Sequence, residues 1–151
     1  MATHKGLFKP FHPEKYKGNC TNIVYRSGWE FLVMRRFDSD PNVIQWQSEE
    51  IQIGYRDPIK KKIRRYFPDF WCKLKDKNGK IVELILEIKP KKQTIPPSPV
   101  IGGKPSKKQL TEITTFVVNQ AKWQAAEEYC KLKGWNFKIL TEDDLPVYKR
   151  L

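Results

Sequence analysis

Two periodicities alternate along the chain. Ser27 stands three residues before Glu30 in the form of a capping box, in which the serine oxygen and the glutamate satisfy free backbone N–H groups. Trp29, Leu32, Val33 and Arg36–Phe37 follow at helical spacing, and Asp38-Ser39-Asp40-Pro41 ends the element. From 43 to 55 the pattern turns to β type, with Val43, Ile44 and Trp46, then Ile51, Ile53 and Tyr55. A turn around Ser48–Glu50 predicts a hairpin there, closed by Asp57-Pro58. Tyr66 to Leu74, the turn Asp76-Lys77-Asn78-Gly79 and the run Ile81 to Lys89 carry the strongest hairpin signal in the chain. Residues 93–105, with Pro96, Pro97, Pro99, Pro105 and a glycine pair, predict a long loop. A helix is expected from Lys107 to Lys133, with Leu110, Ile113, Phe116–Val117, Trp123, Ala126 and Tyr129–Cys130 apolar and Gly134 as its stop. Trp135 to Leu140 reads as a last strand, and Thr141 to Leu145 as the opening of a short terminal helix. The order α-β-β-β-β-α-β-α predicts an α/β domain, a mixed sheet flanked by helices.

Composition narrows the class. The 151 residues correspond to about one domain. Hydrophobic residues make up 39% and aromatics 13%, enough for a packed core, which excludes a wholly disordered chain. No apolar run approaches the ~18–20 residues of a membrane span, and no signal-type stretch follows the first residues, so no membrane partner is expected. Cys20, Cys72 and Cys130 have no metal-type pairing and an odd count, which argues against a disulfide framework or structural zinc and fits a reducing compartment. With 29 Lys and Arg against 17 Asp and Glu, the net charge is +12, which points to a polyanionic partner, most often nucleic acid.

The candidate chemistry sits in the strong hairpin. A three-residue loop (Lys77, Asn78, Gly79) with a left-handed glycine pairs Asp76 with Lys80. Continued along the strands, this register places Asp69 opposite Glu87 with both side chains on one face. Lys89, two residues on, shares that face. A two-residue loop would separate them. Two carboxylates side by side repel, and Glu87 interrupts an apolar run. A divalent cation resolves the repulsion, since Mg²⁺ binds one or two carboxylates together with phosphate oxygens and water. The plainer reading is a solvated strand face, with Asp69 an ordinary edge residue.

Pro68-Asp69, followed eighteen residues on by Glu87-Ile88-Lys89, resembles the PD-(D/E)xK nucleases of the restriction-endonuclease-like superfamily. The likeness extends to the head completion nuclease branch of T-even-type tailed phages. It runs through Tyr25-Arg26-Ser27-x-Trp29-Glu30, Arg64-Arg65-Tyr66-Phe67-x-Asp69, Glu87-Ile88-Lys89-Pro90-Lys91-Lys92, Val118-Asn119-x-x-Lys122-Trp123-x-Ala125-Ala126 and Ile139-Leu140-Thr141-Glu142-Asp143. The resemblance implies a restriction-endonuclease-like fold over residues 23–151; residues 1–22, with Pro10, Pro13, Gly18 and no periodicity, read instead as an irregular basic arm that packs through Phe8, Phe11 and Tyr16 at most. The resemblance also implies a metal-dependent DNA endonuclease acting on packaged DNA in phage head completion. The catalytic residues would be Glu30, Asp69, Glu87 and Lys89, the ion Mg²⁺ or Mn²⁺ on Asp69, Glu87 and Glu30, and Lys89 would activate water. The expected partners are double-stranded DNA, as ends or branched forms, and head or neck proteins, in the virion and in the host cytoplasm during assembly. The alternative is a non-catalytic basic head plug or adaptor that binds the DNA end or the portal.

Several residues have two readings. Glu30 is either a metal ligand or the capping glutamate. Glu49 and Glu50 either approach a metal from a neighbouring strand or lie in a solvated turn. Lys122, with Asn119 on the same side of its helix, either reaches the phosphate and carboxylate cluster or is a surface lysine. Lys60, Lys61, Lys62, Arg64 and Arg65, continued by Lys91 and Lys92, are candidate phosphate contacts, which position DNA without reading its sequence. The plainer reading of that run is a lysine-protected strand edge. Trp29, Trp46 and Trp123 read as core, and His4 and His12 carry no assigned chemistry.

Overall fold

The computed structural model describes residues 5–145, which leaves His4 and anything beyond Leu145 outside the described residues. A four-stranded sheet forms the centre. Its strands are β3 (Val43–Ser48), β6 (Phe70–Lys75), β7 (Ile81–Ile88) and β8 (Asn136–Leu140), in the order β3-β6-β7-β8. The first three run antiparallel and β8 runs parallel to β7. Helix α1 (Gly28–Ser39) covers one face and α2 (Lys107–Lys133) the other.

Side-chain parity along the strands explains the layering, because successive residues of a strand point to opposite faces. Phe70, Cys72 and Leu86 pack on the α1 side with Val33, Met34, Phe37 and Trp46. Trp71 and Ile85 pack on the α2 side with Trp123, Ala126 and Cys130. The central hairpin adopts the predicted register: Phe70 pairs with Leu86, and the Asp76 N–H donates to the Lys80 carbonyl at 2.8 Å. Gly79 supplies the left-handed turn residue at φ 76°.

Both helices keep the predicted bounds, but α1 forms only half of its expected capping box, with Glu30 reaching the Arg26 N–H instead of that of Ser27. Ser27 accepts the Glu30 N–H, while Ser106 and Gln109 form a reciprocal capping box at the start of α2. Gly134, at φ 75°, closes α2. The apolar positions of α2 divide along its length, however. Trp123, Ala126 and Cys130 are buried, whereas Leu110 and Val117 are exposed.

Three expectations need correction. The stretch 43–55 is not a hairpin, since β3 pairs with β6 and β4 (Ile53–Asp57) pairs instead with β5 (Lys62–Tyr66) in a separate two-stranded ribbon. The amino-terminal arm is more ordered than expected. Its strand β1 (Gly6–Phe8) pairs with β2 (Ile23–Tyr25), Pro13–Lys15 form a 3-10 turn, and Phe8 and Tyr16 enter the core while Phe11 is 91% exposed. Residues 141–145 form a turn, with the Leu145 side chain buried, and the remainder of the expected terminal helix lies outside the described residues.

Asp38, at the end of α1, fastens the arm. Its buried carboxylate accepts the Phe11 N–H at 2.8 Å and the His12 N–H at 2.9 Å, while the Lys15 ammonium donates to the Asp38 and Asp40 carbonyls. Asp38→Ala leaves both N–H groups without an acceptor. Urea denaturation is expected to show a loss of about 2–3 kcal/mol, with early opening of the arm.

Candidate active site

Asp69 and Glu87 meet where β6 and β7 begin to separate, on the α2 side of the sheet. Each clasps the other's strand. The Asp69 N–H donates to Glu87 Oε1 at 3.2 Å, and the Ile88 N–H donates to Asp69 Oδ2 at 2.7 Å. One oxygen of each carboxylate is thereby engaged by backbone, and Asp69 Oδ1 and Glu87 Oε2 remain for other partners. Glu87 is only 5% exposed. Burial, reinforced by the neighbouring Glu87 charge, raises the Asp69 carboxyl well above the ordinary aspartate value. Burial raises Glu87 as well, against the pull of Lys89, Tyr66 and the Asp69 N–H. A largely desolvated, mutually repelling carboxylate pair of this kind is costly for folding and suited to a cation.

Lys89 completes the predicted trio, with Nζ 4.0 Å from Glu87 Oε2. From α2, the Lys122 ammonium sits over the rings of Tyr55 and Tyr66 at 5.8 and 5.7 Å. Burial and the nearby Lys89 charge lower its pKa, while Glu87 holds it up. Tyr66, the last residue of the ribbon, is a site component that the sequence reading left unassigned. Its hydroxyl is buried against Glu87, short of a well-formed hydrogen bond, and burial pushes its pKa upward.

On the α1 side, Glu30 serves the helix terminus. Its Oε1 accepts the Arg26 N–H at 3.4 Å and its Oε2 lies 3.5 Å from the Ser27 hydroxyl. It is close enough to Asp69 to add to the repulsion there, and burial raises its own pKa. Arg26, also unassigned by the sequence reading, pairs with Glu49. The Glu49 N–H donates to the Asp69 carbonyl at 3.1 Å, so the turn after β3 is fastened to the site. Glu50 lies exposed beside Gly18.

The donor set fits a hard divalent cation: two carboxylates, each with an oxygen uncommitted to backbone and each raised by burial. Among the described residues no three His, Cys, Asp or Glu side chains converge closely enough to hold one ion. A cation here would rest on Asp69 and Glu87, with water or substrate oxygens filling its other positions. Glu30, the third ligand expected from the sequence, is hydrogen-bonded to the Arg26 N–H.

Residues 40–142 match a family model described as the TnsA-like endonuclease N terminal. The chain belongs to this family. The match spans the sheet, the ribbon and α2, and the three-layer arrangement is that of a restriction-endonuclease-like fold. The chain is also similar to the head completion nuclease of Enterobacteria phage T4, 41% identical over 144 residues that cover 94% of this chain and 93% of that protein.

In this TnsA-like domain the basic candidates fall in three places. Lys60 and Lys61 form the tip of the β4–β5 ribbon, and Lys62, Arg64 and Arg65 lie along β5. Arg64 is tied to the buried Asp57 at 3.4 Å. Lys91 and Lys92 begin a 3-10 turn (Lys91–Gln93) just past Lys89, with Lys91 held by Asp143 at 2.8 Å. Lys122 stands beside the carboxylates. Trp46 and Trp123 are buried and Trp29 packs at the core's edge, as the sequence predicts.

Proposed function

We propose that this chain is a metal-dependent DNA nuclease that cuts phosphodiester bonds at the Asp69–Glu87 pair. The observation that carries the reading is the reciprocal backbone clasp, which holds the half-buried Asp69 and the buried Glu87 carboxylates together at a net energetic cost with a lysine at their edge. Membership of an endonuclease family supports the reaction class, and the name of the phage T4 relative supports a role in head completion.

A Mg²⁺ or Mn²⁺ ion bound there would lower the pKa of a water molecule and offset charge at the phosphorus. Asp69 Oδ1 and Glu87 Oε2 would hold that ion, each carboxylate being oriented by the N–H group its other oxygen accepts. Lys89 orients the attacking water and neutralises charge as the bond breaks. Lys122 steadies Glu87 from the opposite layer and meets a phosphate. Glu30 supports the site from the α1 side through the Arg26 backbone, with Arg26 and Glu49 fixing the turn that carries Asp69. Lys60, Lys61, Lys62, Arg65, Lys91 and Lys92 position duplex DNA, as ends or branches, through its backbone. Head or neck proteins would be its partners during assembly and in the virion.

The test is cleavage of linear, nicked and branched DNA by the full chain with Mg²⁺, with Mn²⁺ and with EDTA. Cutting with either ion and none in EDTA is expected. Equal cutting in EDTA contradicts the metal mechanism, and DNA binding without cutting of any form replaces the nuclease with a basic plug.

A further inference from the structure

The β4–β5 ribbon has two unlike faces. Along β4, Ile53, Tyr55 and Asp57 are buried against the body of the protein, and their cross-strand partners are Tyr66, Arg64 and Lys62. The alternate positions form the outward face: Gly54 opposite Arg65, and Arg56 opposite Ile63. Arg64, in the middle of the basic run, belongs to the inner face and is spent on Asp57. Arg56, outside that run, belongs with Arg65.

The outward face has the composition of a nucleic-acid surface rather than of an ordinary exposed edge. Ile63 is 70% exposed and flanked by arginines, and Ile59 at the tip is 51% exposed. A Cβ added at Gly54 would meet nothing nearer than Ile63 Cγ2 at 4.0 Å, so this part of the face is low and open. The tip is rigid. Asp57 Oδ1 accepts the Ile59 and Lys60 N–H groups at 2.8 and 3.1 Å, and Lys61 takes a left-handed φ of 52°. Glycine would adopt that conformation at lower cost, yet the turn carries a lysine beside two more. No carboxylate other than the buried Asp57 lies on the ribbon from residue 53 to 66. The ribbon ends at Tyr66, whose hydroxyl lies against Glu87, so whatever seats on it is registered to the carboxylate pair.

Resting on the nuclease reading, we propose that this outward face is the grip on duplex DNA. Arg56 and Arg65 contact phosphates on either side of a groove, and Ile63 inserts between them against the bases. The major groove of B-DNA, about 12 Å wide, admits a two-stranded ribbon. In that groove an apolar side chain meets base edges such as the thymine methyl, while the flanking cations meet phosphates.

The experiment measures binding of the full chain to a short mixed-sequence duplex over a range of salt, in an Asp69→Asn background so that the DNA survives. Arg56→Gln with Arg65→Gln is expected to reduce the slope of log affinity against log salt by about 1.8. Ile63→Ser is expected to weaken binding about tenfold with the slope unchanged. Unchanged affinity and slope in both variants overturns the grip, and leaves the nuclease reading standing if the wild type cuts DNA with Mg²⁺. A wild type that cuts nothing, with ribbon variants that lose the slope, defeats the nuclease reading and supports the grip. Loss of a dimer on Ile63→Ser by sedimentation, with DNA affinity unchanged, overturns the grip in favour of a second copy of this chain.

Discussion

Asp69→Asn is expected to abolish cleavage and, without metal, to stabilise the fold. The substitution keeps the shape and the acceptor for the Ile88 N–H and removes one of two crowded charges. Losing the ion that activates water and offsets phosphoryl charge costs several kcal/mol of barrier, so the rate should fall on the order of a thousandfold or more. Binding to duplex DNA should persist. The stability effect follows from the direction of the shift. Asp69 is raised above its unfolded value, so its contribution to stability is complete below about pH 4 and is lost as the pH rises through the folded value. In EDTA near pH 7.5 the variant should therefore melt above the wild type, the gap closing toward about pH 4 and again when a divalent ion stabilises the wild type. Glu87→Gln should behave alike, and the double variant should be little worse in rate than either single one, because residues that serve one ion act as a unit. Thermal melts across pH with single-turnover cleavage check both halves. A variant less stable than the wild type in EDTA at neutral pH contradicts the electrostatic account.

Trp46→Ala is expected to be the most destabilising single core change. Trp46 is fully buried, and its ring meets Phe8, Tyr16, Phe37 and Phe70 at centroid distances of 5.8, 4.7, 5.6 and 6.4 Å. These partners come from the amino-terminal arm, α1 and β6, so one side chain joins three layers of sequence. Truncation loses the transfer energy and leaves a cavity that the aromatic neighbours close only in part, at about 3–5 kcal/mol. For a domain of this size the melting temperature should fall by about 6–20 °C. Trp29→Ala, at the edge of the same core, should cost clearly less.

The site was legible in the sequence wherever its geometry is local. The turn at Lys77–Gly79 sets the register of β6 and β7, and that register carries Asp69 to Glu87 and Lys89 without any knowledge of the rest of the fold. Strand partnership over longer distances was not legible. Val43, Ile44 and Trp46 followed by Ile51, Ile53 and Tyr55 suit a hairpin as well as they suit two strands of different sheets. The choice is made by β6, more than twenty residues downstream, which pairs with β3 and leaves β4 to β5. The pattern of the arm predicts no strand because three residues are too few to show a period. Tyr66 and Arg26 went unassigned for a related reason. Each acts through a group distant in sequence, Tyr66 against Glu87 and Arg26 through Glu49, and neither has a spacing that announces it. Glu30 carries both of its readings in one motif, and its hydrogen bond to the Arg26 N–H, one residue before the N-cap, leaves the metal-ligand reading a proposal.

The most direct test of the central claim is calorimetric titration of Mn²⁺ into metal-free protein without DNA, run beside Asp69→Asn. The Asp69–Glu87 pair predicts a saturable site in the wild type, with protons released on binding because both carboxyls are raised, and no such site in the variant. Identical isotherms for the two proteins would contradict it.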